Sequence, residues 1–586
     1  MKKQRNSWIE YPILGILVVG AFLLRVVGQW DKVFVDGNVW FRGVDSWYHM
    51  RLVDNMLVNF PVPIKWDMFA TYPDGYSVGY FPLMSWMIAI PGKFLDYEAV
   101  GALLPPILGA LTLIPVYYIG KALFSKGVGL LACLLVAILP TEFFHRTLLG
   151  FTDHHVLEVF FSTFTILFLI LAYKNIKKEK VKWLYPILAG VSLGLYLSSW
   201  LGGLLLVLPI WIWFIITFTY KLFKGQPIEA FYKVTTVVFV IALLLFIPNF
   251  FLVQISIPLL LLMLGATATP YIFYLLSRIL KDWKTFTIVT EGVLIVLIIF
   301  LGSFFPALFN YPRSVFFGIG ATIEEAAPIT PTVLFNQYGI SFFLFLGGLY
   351  YAIKNKTNSL FLIWTLIIFL TTIGQRRWGY YFVINNALLA AYFTFMLGKW
   401  VKPNVRVAVI VVVCFFMVLP TLKGTVGLAS RPNNIDNDWY HACLYLKENT
   451  PNPFLSENAY YELENKEADY GVLSWWDYGH WIIRIGHRVP VTSPTWQDSP
   501  LQSRVLVAQS EEEANKFLEG INIKYIIVDE AMVTGKFYAL AQKAGVPNTE
   551  DIRKNSMVMR LWNEEVETWR KIYQVGRVKI FERSNG

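Results

Sequence analysis

A chain of 586 residues that is 56% hydrophobic, 17% aromatic and only 15% charged, with a mean hydropathy of +0.51, is excluded from the ordinary soluble enzymes. Its net charge of +10 does not point to nucleic acid: Lys and Arg number 32 against 18 Asp and Glu in residues 1–430, and 18 against 22 in 431–586, so the basic excess lies in the apolar part. Of three cysteines only Cys443 falls in the C-terminal tail, which excludes a disulfide framework there.

Taken in order, the basic Met1–Arg5 precedes an apolar run from Ile13 to Val27 with no small-residue cleavage site, which reads as an uncleaved first span. Apolar stretches recur to Leu419 and predict about thirteen transmembrane helices, although splitting the long 253–280 run would change the parity. Lys121 and Lys126, Lys174 to Lys182, Lys221 and Lys224, Arg278 to Lys284, Lys354 and Lys356, and Lys399 to Arg406 fall in alternate loops, the cytoplasmic ones by charge bias. Odd parity then places the tail outside, with residues 30–97, 141–155, the Trp200 loop, 305–333 and the Arg377 loop. The expected division is a multispan domain, 1–425, and a soluble extracytoplasmic domain, 426–586. In the tail, Asp436 to Asn449 predicts a helix, and Tyr525 to Val528 and Arg577 to Phe581 predict strands, giving a mixed α/β domain.

The residues with chemical potential lie in the same external loops. Asp45, within Gly43-Val44-Asp45-Ser46-Trp47-Tyr48-His49-Met50-Arg51, is a carboxylate beside interfacial aromatics, either a functional acid or a solvated cap or ion-pair partner of Arg42 or Arg51. Tyr72-Pro73-Asp74-Gly75 spells a turn, and Asp74 has no chemical role. Asp153 and His155, two apart, face one point in an extended segment; with a second Asp they form a mixed oxygen and nitrogen set suited to Mn²⁺ or Mg²⁺, with Zn²⁺ or Fe²⁺ also compatible. Ordinary interfacial histidines are the alternative. Arg146 of the same loop joins the catalytic candidates. Thr322-Ile323-Glu324-Glu325 is either a capping box or a means of bringing Glu325 to the other acids. Trp475-Trp476-Asp477-Tyr478-Gly479 is either tail core or a small pocket with apolar walls and one acceptor, fit for a short hydroxyl-bearing group.

This pentapeptide resembles the signature of the catalytic subunit of asparagine-linked oligosaccharyltransferases, and the other motifs follow that family's order. Asp45 matches its first acidic motif, Asp153 and His155 its second in an Asp-x-His form associated with archaeal and some bacterial members, and Thr322 to Glu325 its external-loop motif. Asp529 to Lys536 matches a further motif in variant form. The resemblance implies a GT-C type membrane fold and a single-subunit enzyme in the cell membrane. It implies transfer of a glycan from a polyprenyl or dolichyl (di)phosphate to the Asn of Asn-x-Ser/Thr in acceptor proteins, with inversion. The implied catalytic residues are Asp45, Glu325 and Arg146, and the implied ligands of a divalent Mn²⁺ or Mg²⁺ are Asp45, Asp153 and His155. Trp475, Trp476, Asp477 and Tyr478, with Met532 or Lys536, would bind the sequon hydroxyl; Arg377 and Trp200 would hold the lipid phosphate. A protein O-mannosyltransferase would not need the sequon pocket. A flippase would place charge inside the spans, which read as poor in it.

Overall fold

The computed structural model describes residues 8–176, 182–253, 257–304, 324–433, 435–464, 467–494 and 500–584. Thr322, Ile323 and most of the expected 305–333 loop lie outside these residues.

Among the described residues, eight helices are long and apolar enough to cross a membrane, nine if the pair Pro331–Tyr338 and Ile340–Lys354, bent by 91°, is one span. Four further apolar helices, Leu83–Gly92, Lys126–Ile138, Leu184–Leu197 and Ser359–Gly374, are 10–17 residues long, short of a full bilayer crossing. Among the described residues the apolar runs form these two classes of helix, together with the 22-residue helix Trp283–Phe304.

The spans differ in what covers them. In His155–Ile176 and Arg376–Trp400, 72% of the most apolar stretch is buried in protein, against 11% in Arg406–Ala429. The first two are therefore the centre of the bundle and the last is its rim. Both central helices begin at the functional end: one carries His155 as its first residue, and the other carries Arg376 and Arg377 in its entry turn.

The basic loops gather at the opposite end. Lys121 and Lys126 reach Glu10 at 2.8 and 2.6 Å, and Lys174 donates to the Ala122 carbonyl at 2.7 Å. The loops expected on the other side, at residues 45, 153, 200, 325 and 377, meet one another and the tail, as their contacts below establish.

Five helices and four strands position the site. Helix α1 (Asp45–Asn59) is entered through Gly43, whose φ of +74° turns the chain so that Asp45 opens the helix. Helix α2 is His155–Ile176 and α3 is Gly379–Trp400. In the tail, α4 (Asn437–Asn449) is capped by Asp436, which accepts from the Trp439 N–H at 3.0 Å. A sheet of β1 (Gly471–Leu473), β2 (Ile523–Asp529), β3 (Trp569–Val575) and β4 (Val578–Arg583) runs in the order β1-β2-β4-β3, with β1 and β2 parallel and the other pairs antiparallel. The helix and both strands expected in the tail are present: the helix begins one residue later, behind its Asp436 cap, the first strand is longer at both ends, and the last starts one residue later and ends two later. The pentapeptide leaves β1 and leads into α5 (Gly479–Arg484). A Cβ at Gly479 would lie 2.6 Å from the Ser493 Cα and the Thr492 carbonyl, so close packing explains the motif's final glycine.

The tail is locked to the first loop through α1 and α5. Arg484 binds Asp54 at 3.1 Å and Glu98 at 2.5 Å, and the Tyr460 hydroxyl donates to Asp54 at 2.9 Å. The His480 ring stacks on Tyr48 at 4.9 Å. Since α1 starts with Asp45 and α5 follows Asp477 and Tyr478, this junction fixes the two motifs relative to each other.

Candidate active site

Asp45 is not an ion-pair partner of its neighbours. Arg51 pairs with Asp67 at 3.3 Å, and Arg42 donates to Gln29, to the Arg431 carbonyl and to Asn433. Against it lies His480, whose Nδ1 is 3.6 Å from an Asp45 oxygen and 3.3 Å from the Val44 carbonyl. Burial holds His480 down at about 3, so it is neutral. Asp45 faces a cleft, 48% of its side chain open to it, while protein encloses the carboxylate at longer range. That enclosure, then the charges of Asp153 and Glu325, push its acid up to about 7.

Asp153 sits in a ring of imidazoles. Its Oδ1 lies 2.6 Å from His154 Nδ1 and 3.2 Å from His49 Nε2, and its Oδ2 lies 3.4 Å from His155 Nε2. Burial alone would raise this acid; the surrounding imidazoles, with hydrogen bonds from His154 and His49, instead hold it well below the usual carboxylate range. Two sets of ligand atoms each converge within 4.8 Å: His49, Asp153 and His154, and His154, His155 and Glu158. Asp45 belongs to neither. The donor set fits a divalent cation on two observations. Asp153 Oδ1 and His154 Nε2 are buried without an aligned hydrogen-bond partner, and the Asp45 acid, raised first by burial, is raised further by the negative charges of Asp153 and Glu325.

Glu325 opens into the same region, held by Arg146, which is buried and donates to it. This guanidinium keeps the Glu325 acid down at about 2. The segment is tied to the Arg377 turn through the Arg376 N–H on the Ala327 carbonyl at 2.9 Å, and Arg376 binds Glu142 at 2.8 Å. Arg377 lies over Trp200 and Trp378, 6.0 and 5.6 Å from their ring centroids, and its Nε is buried without a hydrogen-bond partner. Trp200 stacks against His154 at 6.3 Å. Asp45, Arg146, Asp153, His155, Trp200, Glu325 and Arg377 are thus brought to one region.

The pentapeptide is only partly the pocket expected. A cavity of about 380 Å³ is lined by Asp477, Tyr478 and Lys536, with Val44 beside Asp45, and with Trp439, Asp529 and Thr534. Trp475 and Trp476 do not line it; Trp475 is buried, packing 5.5 Å from the Trp476 ring. Met532 is wholly buried in the tail core and leaves the lining too, because its short helix, Glu530–Val533, turns it inward under the Asp529 cap. Nor is Asp477 a buried, unpaired carboxylate. It is half-buried and bound by Lys536 Nζ at 3.0 Å, with Lys536 over the Tyr478 ring at 4.2 Å. The deeper acceptor is Asp529, which takes the Tyr478 hydroxyl at 2.6 Å, Trp439 Nε1 at 2.9 Å and the Met532 N–H at 2.9 Å.

Sequence reasoning passed over His49, His154, Glu158, His480 and the role of Asp529. Three carried a usable signal: His49 is one helical turn after Asp45, Glu158 one turn after His155, and His480 directly follows the pentapeptide. The spans also hold buried charge that was not expected, at Arg25 and Glu158. Arg25 donates to Thr147 at 2.8 Å and Glu158 lies one turn from the site, so both belong to the functional end of their helices and not to a path across the membrane.

Residues 16–422 match the family described as oligosaccharyl transferase STT3, N-terminal, and residues 436–533 match the AglB core domain. The chain is 28% identical to dolichyl-phosphooligosaccharide-protein glycotransferase 3 of Archaeoglobus fulgidus, over 92% of this chain and 71% of that protein. It is 24% identical to dolichyl-monophosphooligosaccharide-protein glycotransferase AglB of Haloferax volcanii, over 90% of this chain and 65% of that one. Its structure is similar to the oligosaccharyltransferase AglB of Archaeoglobus fulgidus in complex with an inhibitory peptide and a dolichol-phosphate, with a TM-score of 0.87 at 25% identity over 97% and 80% of the two chains. An Archaeoglobus fulgidus oligosaccharyltransferase is also known in complex with Zn and sulfate, with a TM-score of 0.82 to this chain. The family match across most of the chain, together with acids and imidazoles at the mouth of a helical bundle, makes this protein a member of the STT3 oligosaccharyltransferase family and a glycosyltransferase.

Proposed function

We propose that this chain moves a glycan en bloc from a polyprenyl or dolichyl (di)phosphate to the side-chain amide of Asn in Asn-x-Ser/Thr, with inversion at the anomeric carbon. The observation that carries this reading is the meeting of Asp45, Glu325, Asp153 and Arg377 at one cleft that adjoins the Asp477 cavity through Val44. The Asn nitrogen is a poor nucleophile because its lone pair is delocalised into the carbonyl. Asp45 and Glu325 accept its two N–H bonds and hold it toward the sugar; positioning of this kind supplies up to roughly 7 to 11 kcal/mol. Arg146 keeps Glu325 ionised, so it accepts and does not donate.

Asp153 and His155, with Asp45, would hold a divalent cation, Mn²⁺ or Mg²⁺, which when bound supplies charge stabilisation for the leaving phosphate. Arg377, with a buried unpartnered Nε, and Trp200 beneath it bind the lipid phosphate and exclude water from it. Asp477 accepts the Ser or Thr hydroxyl of the sequon in exchange for part of its contact with Lys536. Residues 1–425 form the membrane domain and 426–586 an extracytoplasmic domain, acting as a single subunit in the cell membrane. The one Asn-x-Ser/Thr with a non-proline middle in the chain, Asn355-Lys356-Thr357, falls in a loop of the basic set, on the side away from the cleft.

The test is to incubate the purified enzyme with a lipid-linked donor and three peptides: Asn-x-Thr, Gln-x-Thr and Asn-x-Ala. Transfer to the first alone, with the glycosidic configuration opposite to the donor's by NMR, is the expected outcome; retention of configuration or equal use of Asn-x-Ala would contradict it.

A further inference from the structure

Glu158 is an acidic residue fully buried in a membrane-spanning helix, and none of the steps above uses it. Its surroundings define its state. The Tyr381 and Tyr380 hydroxyls donate to its Oε2 at 2.6 and 2.9 Å, and Tyr381 is held in turn by Tyr196 at 3.0 Å. Its Oε1 lies 3.0 Å from His155 Nδ1 and 3.4 Å from His154 Nε2. A carboxylate with donors on both oxygens is itself an acceptor, so His155 carries its proton on Nδ1. That leaves the lone pair on His155 Nε2, the nitrogen that faces Asp153 Oδ2 at 3.4 Å.

This arrangement separates the two convergent clusters. In the set of His154, His155 and Glu158, the carboxylate oxygen that faces the imidazoles, Oε1, already accepts from His155 Nδ1 and would have to surrender that hydrogen bond to bind an ion. On the Asp153 side, by contrast, an oxygen lacks an aligned partner and an imidazole lone pair is directed toward its fellow oxygen. Ligating histidines generally donate their other ring N–H to a carboxylate, which fixes the tautomer and ring orientation and raises the basicity of the ligating nitrogen.

We propose that Glu158 is a positioning residue that sets the affinity of the site for its divalent cation. It locks His155 as the Nδ1–H tautomer with Nε2 toward Asp153, and Tyr380 and Tyr381 hold Glu158 in place. This rests on the metal-dependent reading above, and the experiment separates the two. Mn²⁺ binding to the purified full-length protein is measured by electron paramagnetic resonance of the free ion, for the wild type, Glu158→Gln and Tyr381→Phe. In parallel, transfer to an Asn-x-Thr peptide is measured against Mn²⁺ concentration.

The expected result is a Kd for Mn²⁺ weakened about 10- to 100-fold in Glu158→Gln. The half-saturating Mn²⁺ for transfer moves by the same factor, and the rate is recovered at high Mn²⁺ with the peptide KM unchanged. Tyr381→Phe, a smaller change that keeps the helix packing, shifts both in the same direction by a lesser factor and serves where Glu158→Gln does not fold. A folded Glu158→Gln, or Tyr381→Phe in its place, with wild-type Mn²⁺ affinity overturns the proposal alone, as does a loss of rate that added Mn²⁺ does not restore. A wild-type protein that binds no Mn²⁺ overturns the metal reading and this inference with it.

Discussion

The two halves of the site are built alike at depth and differently at the surface. Beneath each lies a carboxylate saturated by aromatic donors: Glu158 takes Tyr380, Tyr381 and His155, and Asp529 takes Tyr478, Trp439 and a backbone N–H. Toward the cleft from Glu158, Asp45 is raised by burial and by the charges of Asp153 and Glu325, and the buried Asp153 Oδ1 has no aligned partner. Above Asp529, Asp477 has its own cation in Lys536. In the proposed reaction the first region would receive a cation and a phosphate, and the second would share its acid, held in a weak internal pair, with a neutral hydroxyl. Preorganised charge belongs where the reaction develops charge. Recognition of a hydroxyl needs only an acceptor that can be exchanged.

This contrast fixes the order of mutational effects. The largest should come from the first region: Asp45→Asn or Glu325→Gln lowers turnover by about 10² to 10⁴-fold, with the peptide KM little changed. Steady-state transfer to a fluorescent Asn-x-Thr peptide measures both, and equal losses in turnover and affinity would place these acids in binding instead. Next is the junction that keeps the regions in register. Arg484→Met strips the buried Asp54 of its ion pair, for which removal of one partner costs about 3 to 5 kcal/mol. Thermal unfolding in detergent should report it, and an unchanged melting temperature would show that the tail docks by other means.

The third effect is a pH shift. The Glu325 acid is depressed, so its ionised form persists until pH falls toward about 2, far below the assay range. Arg146→Gln removes the main cause of that depression and also a positive charge that lowers the Asp45 acid, which already stands at about 7, so the acid limb of the pH–rate profile should move to higher pH. A profile that only falls in height, without moving, would give Arg146 a different role. The smallest effect belongs to the second region. Lys536 and Asp477 are each about one-third exposed, a setting in which an ion pair contributes about 0.2 to 1 kcal/mol. Lys536→Met should therefore change peptide KM by no more than about fivefold, and a hundredfold change would reverse the contrast drawn above.

Much of the first region was legible in the sequence because each of its loops ends an apolar run. Asp45, Asp153, Trp200, Glu325 and Arg377 stand at such ends, and sidedness alone assembles them. What escaped was of two kinds. Glu158 sits inside an apolar span, where hydropathy averaged over the helix hides one carboxylate, and His49 reads as an interfacial residue unless α1 is already known to be a helix. The Asp477–Lys536 pair, the Asp529 hub and the Arg484–Asp54 link join residues 59, 51 and 430 positions apart, and only the packed tail brings them together. The pentapeptide showed the same limit: Asp477 and Tyr478 line a cavity, but whether a tryptophan faces a cavity or a core is decided by the packing of the tail.

The most direct test of the central claim is glycan transfer from a lipid-linked donor to a fluorescent Asn-x-Thr peptide, run with Mn²⁺, with EDTA, and with EDTA followed by excess Mn²⁺. The account predicts transfer with Mn²⁺, none with EDTA, and full recovery on adding the ion back. Undiminished transfer in EDTA, with a donor and enzyme shown to be free of bound metal, would contradict it.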